Sequence, residues 1–227
     1  MLISIIIPTL NEETNLESLL RQLNQLEKKI PFEIIVVDGG SQDSTVAIAS
    51  DYAQVYQLKQ GNRGAQLKLG AEKSRGEILW FLHSDSRLDN QSDILAQIHR
   101  AVVSKNNSAG FLKLSFDSTE LFYRYLARTS ALRAKYFGLI FGDQGLFTTR
   151  ENYERAGGFE TVPLMEDWRL SRRLRKLGKF YYLPVTITTS ARRFGKGKLK
   201  VHLRMHKIKL LYFLGMSPEK LAERYYK

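Results

Sequence analysis

The stretch Ile34-Ile35-Val36-Val37-Asp38-Gly39-Gly40-Ser41-Gln42-Asp43-Ser44 constrains this chain more than any other. Its apolar run reads as a strand buried on both faces, which is the habit of a parallel sheet. The two glycines permit a tight exit. Ser41, Asp43 or Ser44 is placed to cap the helix that follows. Open α/β sheets bind ligands outside the carboxyl ends of their strands. Asp38 is therefore either a turn residue or an acceptor for ribose hydroxyls or a base N–H.

The same grammar repeats along the chain. Residues 3–8, 33–37, 55–58 and 77–82 read as strands. Helical patterns fall between them, at the spacing of Leu16, Leu19, Leu20, Leu23 and Leu26, then over 45–52, 63–74 and 93–103. Alternating β and α predicts a parallel sheet with helices on both faces. The second half is less regular. Strands are expected over 109–116, 142–147 and 180–187, the last around Pro184. Helices are expected over 121–136 and 166–177, the latter basic, amphipathic and stopped by Gly178.

At 227 residues one α/β domain is the economical count. With no cysteine, disulfides and thiolate metal sites are excluded. Residues 2–8 are too short for a signal segment and lack basic residues before them. No apolar run approaches the ~20 residues of a spanning helix. The expectation is a cytoplasmic protein, and the Asn90 and Asn106 glycosylation patterns are discounted. The formal charge of +12 is local: residues 168–218 hold 14 Lys+Arg and no acid, leaving 21 basic against 23 acidic residues elsewhere. That points to an anionic partner at the C-terminal end: a membrane surface, a diphosphate or an acidic acceptor. Plotted as a helix, the tail puts Val201, Met205, Ile208 and Tyr212 on one face. Leu199, Leu203, Leu210 and Leu214 fall opposite, with Lys196, Lys200, Arg204 and Lys207 between. One apolar face suits the body of the α/β domain. The other suits an anionic membrane surface, placing the protein on the inner face of the membrane, or a homodimer, or burial within the monomer.

Three further clusters carry chemistry. Leu79-Trp80-Phe81-Leu82-His83-Ser84-Asp85 is a second apolar run ending in a carboxylate. Asp85 suits Mg²⁺ or Mn²⁺, hard cations that need one or two carboxylates beside phosphate and water. His83 is a second ligand or, by preference, a hydrogen-bonding neighbour. Gly61-Asn62-Arg63-Gly64 opens a helix, where Arg63 suits a phosphate. Met165-Glu166-Asp167 starts the basic helix, where acids also simply favour a helix N-terminus.

Together with Ile7-Pro8-Thr9-Leu10-Asn11-Glu12 at the end of the first strand, these motifs resemble the inverting glycosyltransferases of family 2 over 1–195, and within it a compact, mostly bacterial subgroup with His-x-Asp in place of Asp-x-Asp. The resemblance implies a three-layer α/β/α nucleotide-diphospho-sugar transferase fold with a mostly parallel sheet. A nucleotide-sugar half (1–105) and an acceptor half (106–195) would be followed by a basic helical extension (196–227). It implies a nucleotide-diphospho-sugar donor, UDP-linked by family frequency, held by Pro8, Thr9, Asn11, Glu12, Asp38, Gly39, Arg63, Ser84, Asp85, Arg192 and Arg193. It implies a divalent metal, Mn²⁺ or Mg²⁺, at Asp85 with or without His83. The acceptor, a small-molecule or lipid-linked hydroxyl, would meet Asp143, Gln144 and Glu166, with Asp167 as the base that takes its proton. Two rivals stand beside this reading. A sugar-phosphate nucleotidyltransferase usually shows a Gly-rich basic loop after the first strand, which Pro8-Thr9-Leu10-Asn11 is not. A nucleic-acid-binding module would interleave aromatics with basic residues on a recognisable fold, so no nucleic acid is expected.

Overall fold

The computed structural model describes residues 1–27, 29–89, 93–104, 106–195 and 197–226, without the side chains of Arg193 and Tyr226. The Asn90 pattern, Lys196 and the Arg193 side chain lie outside the described residues. The first half runs β1 (Ile3–Thr9), α1 (Glu13–Asn24), β2 (Phe32–Asp38), α2 (Thr45–Ser50), β3 (Gln54–Gln57), α3 (Arg63–Lys73), β4 (Ile78–Phe81), β5 (Arg87–Leu88) and α4 (Ile94–Val103). The second runs β6 (Asn107–Phe116), α5 (Leu121–Phe137), a 3-10 turn (Gly142–Gln144), β7 (Phe147–Thr149), α6 (Arg150–Arg155), α7 (Glu166–Leu177), β8 (Lys179–Thr189), a second 3-10 turn (Ala191–Phe194), α8 (Lys198–Phe213) and α9 (Pro218–Tyr226).

These strands form one sheet in the order β3-β2-β1-β4-β7-β6-β8-β5. The β3-β2-β1-β4 half is parallel, as expected. The other half is mixed: β7 runs antiparallel to both β4 and β6, and β5 to β8, while β6 and β8 are parallel. Strand alternation divides the core between the two faces. Ile3, Ile5 and Ile7 point with Trp80 toward α1, α2 and α4. Ile6, Leu79 and Phe81 point toward α3, α6 and α7. A third cluster of Tyr123, Leu126 and Phe194 joins α5 to Val201 and Met205 of α8.

The strand expected over 142–147 is instead the first 3-10 turn, which Gly145 ends in a left-handed conformation (φ 59°) before β7 begins. The β6–β8 register slips between Leu112, paired with Leu183, and Lys113, paired with Thr186. Pro184 falls in that gap, where a residue without an N–H costs no ladder bond. The tail is helical, and only one of its two apolar faces is covered: Ile208 is buried, while Leu199, Leu203, Leu210 and Leu214 are 58–71% exposed. Burial of both faces within the monomer is thereby overturned. Among the described residues no helix is long and apolar enough to cross a membrane.

Candidate functional site

Parallel pairing sets Thr9 opposite Asp38 at the carboxyl edge of the sheet. Asp38 is 1% exposed. It accepts hydrogen bonds from Thr9 Oγ1 (3.2 Å), from the N–H groups of Gly40 and Ser41 (both 2.8 Å) and from Ser41 Oγ. A carboxylate offers about four lone-pair sites, so Thr9 and its own loop fill them all. A ribose hydroxyl or base N–H reaches Asp38 only by displacing the Ser41 or Thr9 hydroxyl. Asn11 braces the same loop from the left-handed region (φ 53°). Its N–H donates to Ser41 Oγ and its Oδ1 accepts from Gln42 N–H, both at 2.8 Å. Such strain in a non-glycine residue gathers at ligand sites. Gly39 has no room for a Cβ, which would stand 2.8 Å from Gly61 Cα. Gln66, whose role the sequence did not reveal, donates from Nε2 to Thr9 O and Val37 O at 2.8 Å each, tying the ends of β1 and β2 together.

β4 ends one strand over, and Leu82-His83-Ser84-Asp85 follow it. Ser84 is buried, as are Pro8 and Thr9 on the same edge. Burial raises the Asp85 carboxyl above its usual range, Arg192 opposes the rise and Glu12 adds to it. Arg192 donates to Glu12 Oε1 at 2.6 Å. Three residues spread over the chain, Glu12, Asp85 and Arg192, thus meet. His83 Nε2 lies 2.7 Å from Arg63 Nη2, and His83 Nδ1 lies 4.0 Å from Asp85 Oδ1. A guanidinium only donates, so Nε2 accepts and the proton sits on Nδ1, toward Asp85. That occupation favours His83 as a neighbour of Asp85 over His83 as a metal ligand. Among the described residues no three His, Asp or Glu side chains converge as a metal cage. The donor set would fit a cation shared with a diphosphate: a half-buried carboxylate whose charge burial disfavours, with phosphate oxygens and water left to complete the shell.

The acidic pair arrives from the other half. Met165 (φ 71°) turns the chain into α7, leaving Glu166 and Asp167 only 6% and 9% exposed. Arg63, at the start of α3, bonds both: Nη1 donates to Glu166 Oε1 and, at 2.8 Å, to Asp167 Oδ2. Gly142 N–H donates to the same Asp167 oxygen at 3.0 Å. Burial disfavours the Arg63 charge, but Asp167 and Glu166 outweigh it and hold the guanidinium above its ordinary value. Burial pushes the Glu166 carboxyl up, against the pull of Arg63. Arg63, expected on donor phosphate, is therefore placed against the acidic pair. A side chain on Gly142 would collide with Arg63 and His83.

In the turn after Gly142, Gln144 is fully buried. Its Oε1 accepts from Arg133 Nη2 (2.8 Å) and Phe141 N–H (3.3 Å), which anchors α5 rather than facing a sugar. Asp143 keeps Oδ1 buried and without a partner. Burial raises its carboxyl, Arg133 opposes the rise, Asp167 adds to it, and Lys209 opposes it more weakly. Neither cation stood out in the sequence. One signal was there for Lys209: it lies four residues after Met205 and one after Ile208, on the inward face of α8 where an apolar residue belongs. Trp168 links this turn to the tail, 6.3 Å from the Phe141 ring and 5.7 Å from Tyr212.

Solved structures share this architecture. A mannosyltransferase from Pyrobaculum calidifontis, in complex with GDP-Man and Mn²⁺, aligns with TM-score 0.70 at 19% identity over 99% of this chain and 69% of its own. Staphylococcus aureus TarS 1-349 aligns at 0.66 and 18%, over 84% of this chain and 60% of its own. In sequence, glycosyltransferase AglE of Haloferax volcanii is 37% identical over 92 residues, covering 37% of this chain and 30% of its own. The dolichyl-phosphate beta-glucosyltransferase of Mus musculus is 31% identical over 99 residues, 37% of this chain and 31% of its own. The chain thus spans about a third of the length of these curated relatives. Residues 4–155, which build the strand-end loops but stop short of Glu166 and Asp167, match the family model described as Glycosyl transferase family 2. On that match, which takes in well over half of the sequence, the chain belongs to glycosyltransferase family 2.

Proposed function

We propose that this protein moves a sugar from a nucleotide-diphospho-sugar, UDP-linked by preference, to an acceptor hydroxyl with inversion, in one displacement. One observation carries the reading: Arg63, fixed at the donor-side helix α3, holds the acidic pair of α7 against the mouth of the strand-end loops. Complexes with UDP and UDP-GlcNAc for TarS, and with GDP-Man and Mn²⁺ for the Pyrobaculum enzyme, support a nucleotide-sugar donor and a divalent metal.

In this reading the loops of Asn11 and Asp38 take the nucleoside. Glu12, Ser84, Asp85 and Arg192 surround the diphosphate, and Asp85, with His83 beside it, would be the protein's contribution to Mn²⁺ or Mg²⁺. A bound divalent cation supplies charge stabilisation to the departing diphosphate. Asp167 takes the proton of the acceptor hydroxyl as its oxygen attacks the anomeric carbon. The bond from that carbon to the diphosphate oxygen breaks, and the nucleoside diphosphate leaves. One carboxylate base suffices, because no covalent sugar intermediate forms on the protein. Arg63 and Gly142 N–H fix the Asp167 carboxylate, and Glu166 orients it. Asp143 belongs to the acceptor side.

The exposed face of α8 sets Leu199, Leu203, Leu210 and Leu214 beside Lys200 and Arg204. Apolar side chains flanked by cations suit an anionic bilayer surface. We assign this face to a membrane, which places a lipid-linked acceptor within reach.

The test is turnover of a sugar donor by Asp167→Asn. With Asp167 as base, the maximal rate falls about 10²–10⁴-fold while donor affinity is kept. An undiminished rate in the Asp167→Asn enzyme would remove Asp167 from the chemistry.

A further inference from the structure

α7 has two faces with different company. Asp167 lies on the buried one, with Leu170, Ser171 and Leu174. At 3.6 residues per turn, Arg169, Arg172 and Arg173 fall on the opposite face. There a cavity of about 590 Å³ opens between α7 and the corner that joins α8 to α9. The three arginines, Glu160, Trp168 and Tyr212 line it, and Phe213 and Met216 extend its apolar wall.

Charge in this lining does not balance. Glu160 is its one acid, and that acid is already taken: Arg169 Nη2 stands 2.6 Å from it and Arg173 Nη1 bonds it as well. Arg173 Nη2 donates to Gly158 O at 2.6 Å. Both arginines still keep Nε buried without an acceptor. Arg172 is exposed and has no partner among the described residues. Three guanidinium groups thus share one carboxylate, and the unmatched atoms of the lining are donors. An oxyanion answers that need, because its oxygens accept from guanidinium forks in pairs. The rest of the wall asks for something apolar. The Trp168 and Tyr212 rings lie 5.7 Å apart. Phe213, 71% exposed, leads directly to Leu214 on the outward face of α8.

We propose that this cavity binds the headgroup of an anionic lipid, whose acyl chains leave past Phe213 and Leu214. The lipid is held there and not glycosylated, because the body of α7, about 10 Å across with its side chains, separates the cavity from Asp167. The inference rests on the assignment of the outward face of α8 to a membrane. It adds selectivity to that surface: the leucines suit any bilayer, whereas the arginines require negative charge in the headgroup.

The experiment titrates dihexanoyl phosphatidylglycerol, kept monomeric below its micelle-forming concentration, into the full chain at constant ionic strength. A saturating nucleoside diphosphate with Mn²⁺ fills the donor site. Affinity is read from the rise in melting temperature with ligand concentration. Wild type is expected to bind the lipid. Arg172→Gln, which breaks no bond within the protein, weakens that affinity about tenfold or more, and Arg172→Lys recovers part of it. Lys68→Gln, at an exposed position of α3, leaves it unchanged. Glycerol 1-phosphate, which has the charge without the chains, binds wild type more weakly than the lipid does, and Phe213→Ser narrows that difference. Equal affinity in wild type and Arg172→Gln overturns the site, as does a wild type that ignores the lipid. Glycerol 1-phosphate bound as tightly as the lipid overturns the lipid as occupant. Wild type that binds the short lipid but not anionic vesicles counts against the membrane face and leaves the cavity standing. Nucleotide that moves no melting temperature counts against the transferase reading instead.

Discussion

Asp38 and Asp167 are both buried carboxylates at the sheet edge, yet their partners differ in kind. Asp38 is held by its own loop, and Asp167 by two elements remote in sequence. Removing Asp38 therefore damages the fold locally as well as the proposed nucleoside site. Asp38→Ala strands the Gly40 and Ser41 N–H groups, and about 1–3 kcal/mol of stability is expected to go with them, measured as a lower urea midpoint. Lys209 gives a second residue-scale prediction. Burial first, and then the nearby Arg133, lower it from 10.5 to about 8, while Asp143 pulls the other way. The folded chain then binds fewer protons than the unfolded one between about pH 8 and 10.5. The burial cost is present in full below pH 8 and fades as pH rises through that window. Lys209→Met should accordingly unfold at higher urea than wild type at about pH 7, with the gain shrinking toward pH 10.5. A gain that persists at pH 10.5 would mean that packing rather than charge sets it.

At the scale of elements, legibility follows the kind of burial. β1, β2 and β4 are apolar on both faces, so their runs and the polar loops after them were plain in the sequence, as were the helices between them. The 142–147 segment was not, because its conformation is set by partners far away: Asp167 accepts the Gly142 N–H, and Arg133 holds Gln144. β8 runs across Pro184 only because β6 slips its register there. α8 was legible as a helix with two apolar faces, but which face turns inward depended on α5 and Trp168. Its outward face yields a prediction at this scale. Leu203→Glu with Leu210→Glu, at positions 66% and 58% exposed, should leave the melting temperature unchanged. The same pair should abolish co-sedimentation with vesicles rich in anionic lipid. Wild-type protein that ignores such vesicles and elutes as a dimer would assign the face to a second copy of the chain.

Over the whole molecule, the two halves of the sheet divide the work. The parallel half places Asn11, Asp38 and Asp85 at successive strand ends, a consequence of parallel strands all finishing on one edge. The mixed half has no such rule. Its contributions, the Gly142 turn and the α7 acids, reach the same mouth through Arg63, and Arg192 crosses back to Glu12. The residues at those strand ends were therefore legible one motif at a time, whereas Gln66, Arg133 and Lys209 emerged only from the fold. The central claim is that this mouth binds a nucleotide-diphospho-sugar through Asp85 and a divalent cation. The most direct measurement is the melting temperature with UDP-, GDP-, CDP- and dTDP-sugars, each with and without Mn²⁺ or Mg²⁺, in wild type and Asp85→Ala. A rise with one nucleotide class, dependent on metal and lost in Asp85→Ala, is the result expected. A folded wild-type protein that shows no rise with any donor would contradict it.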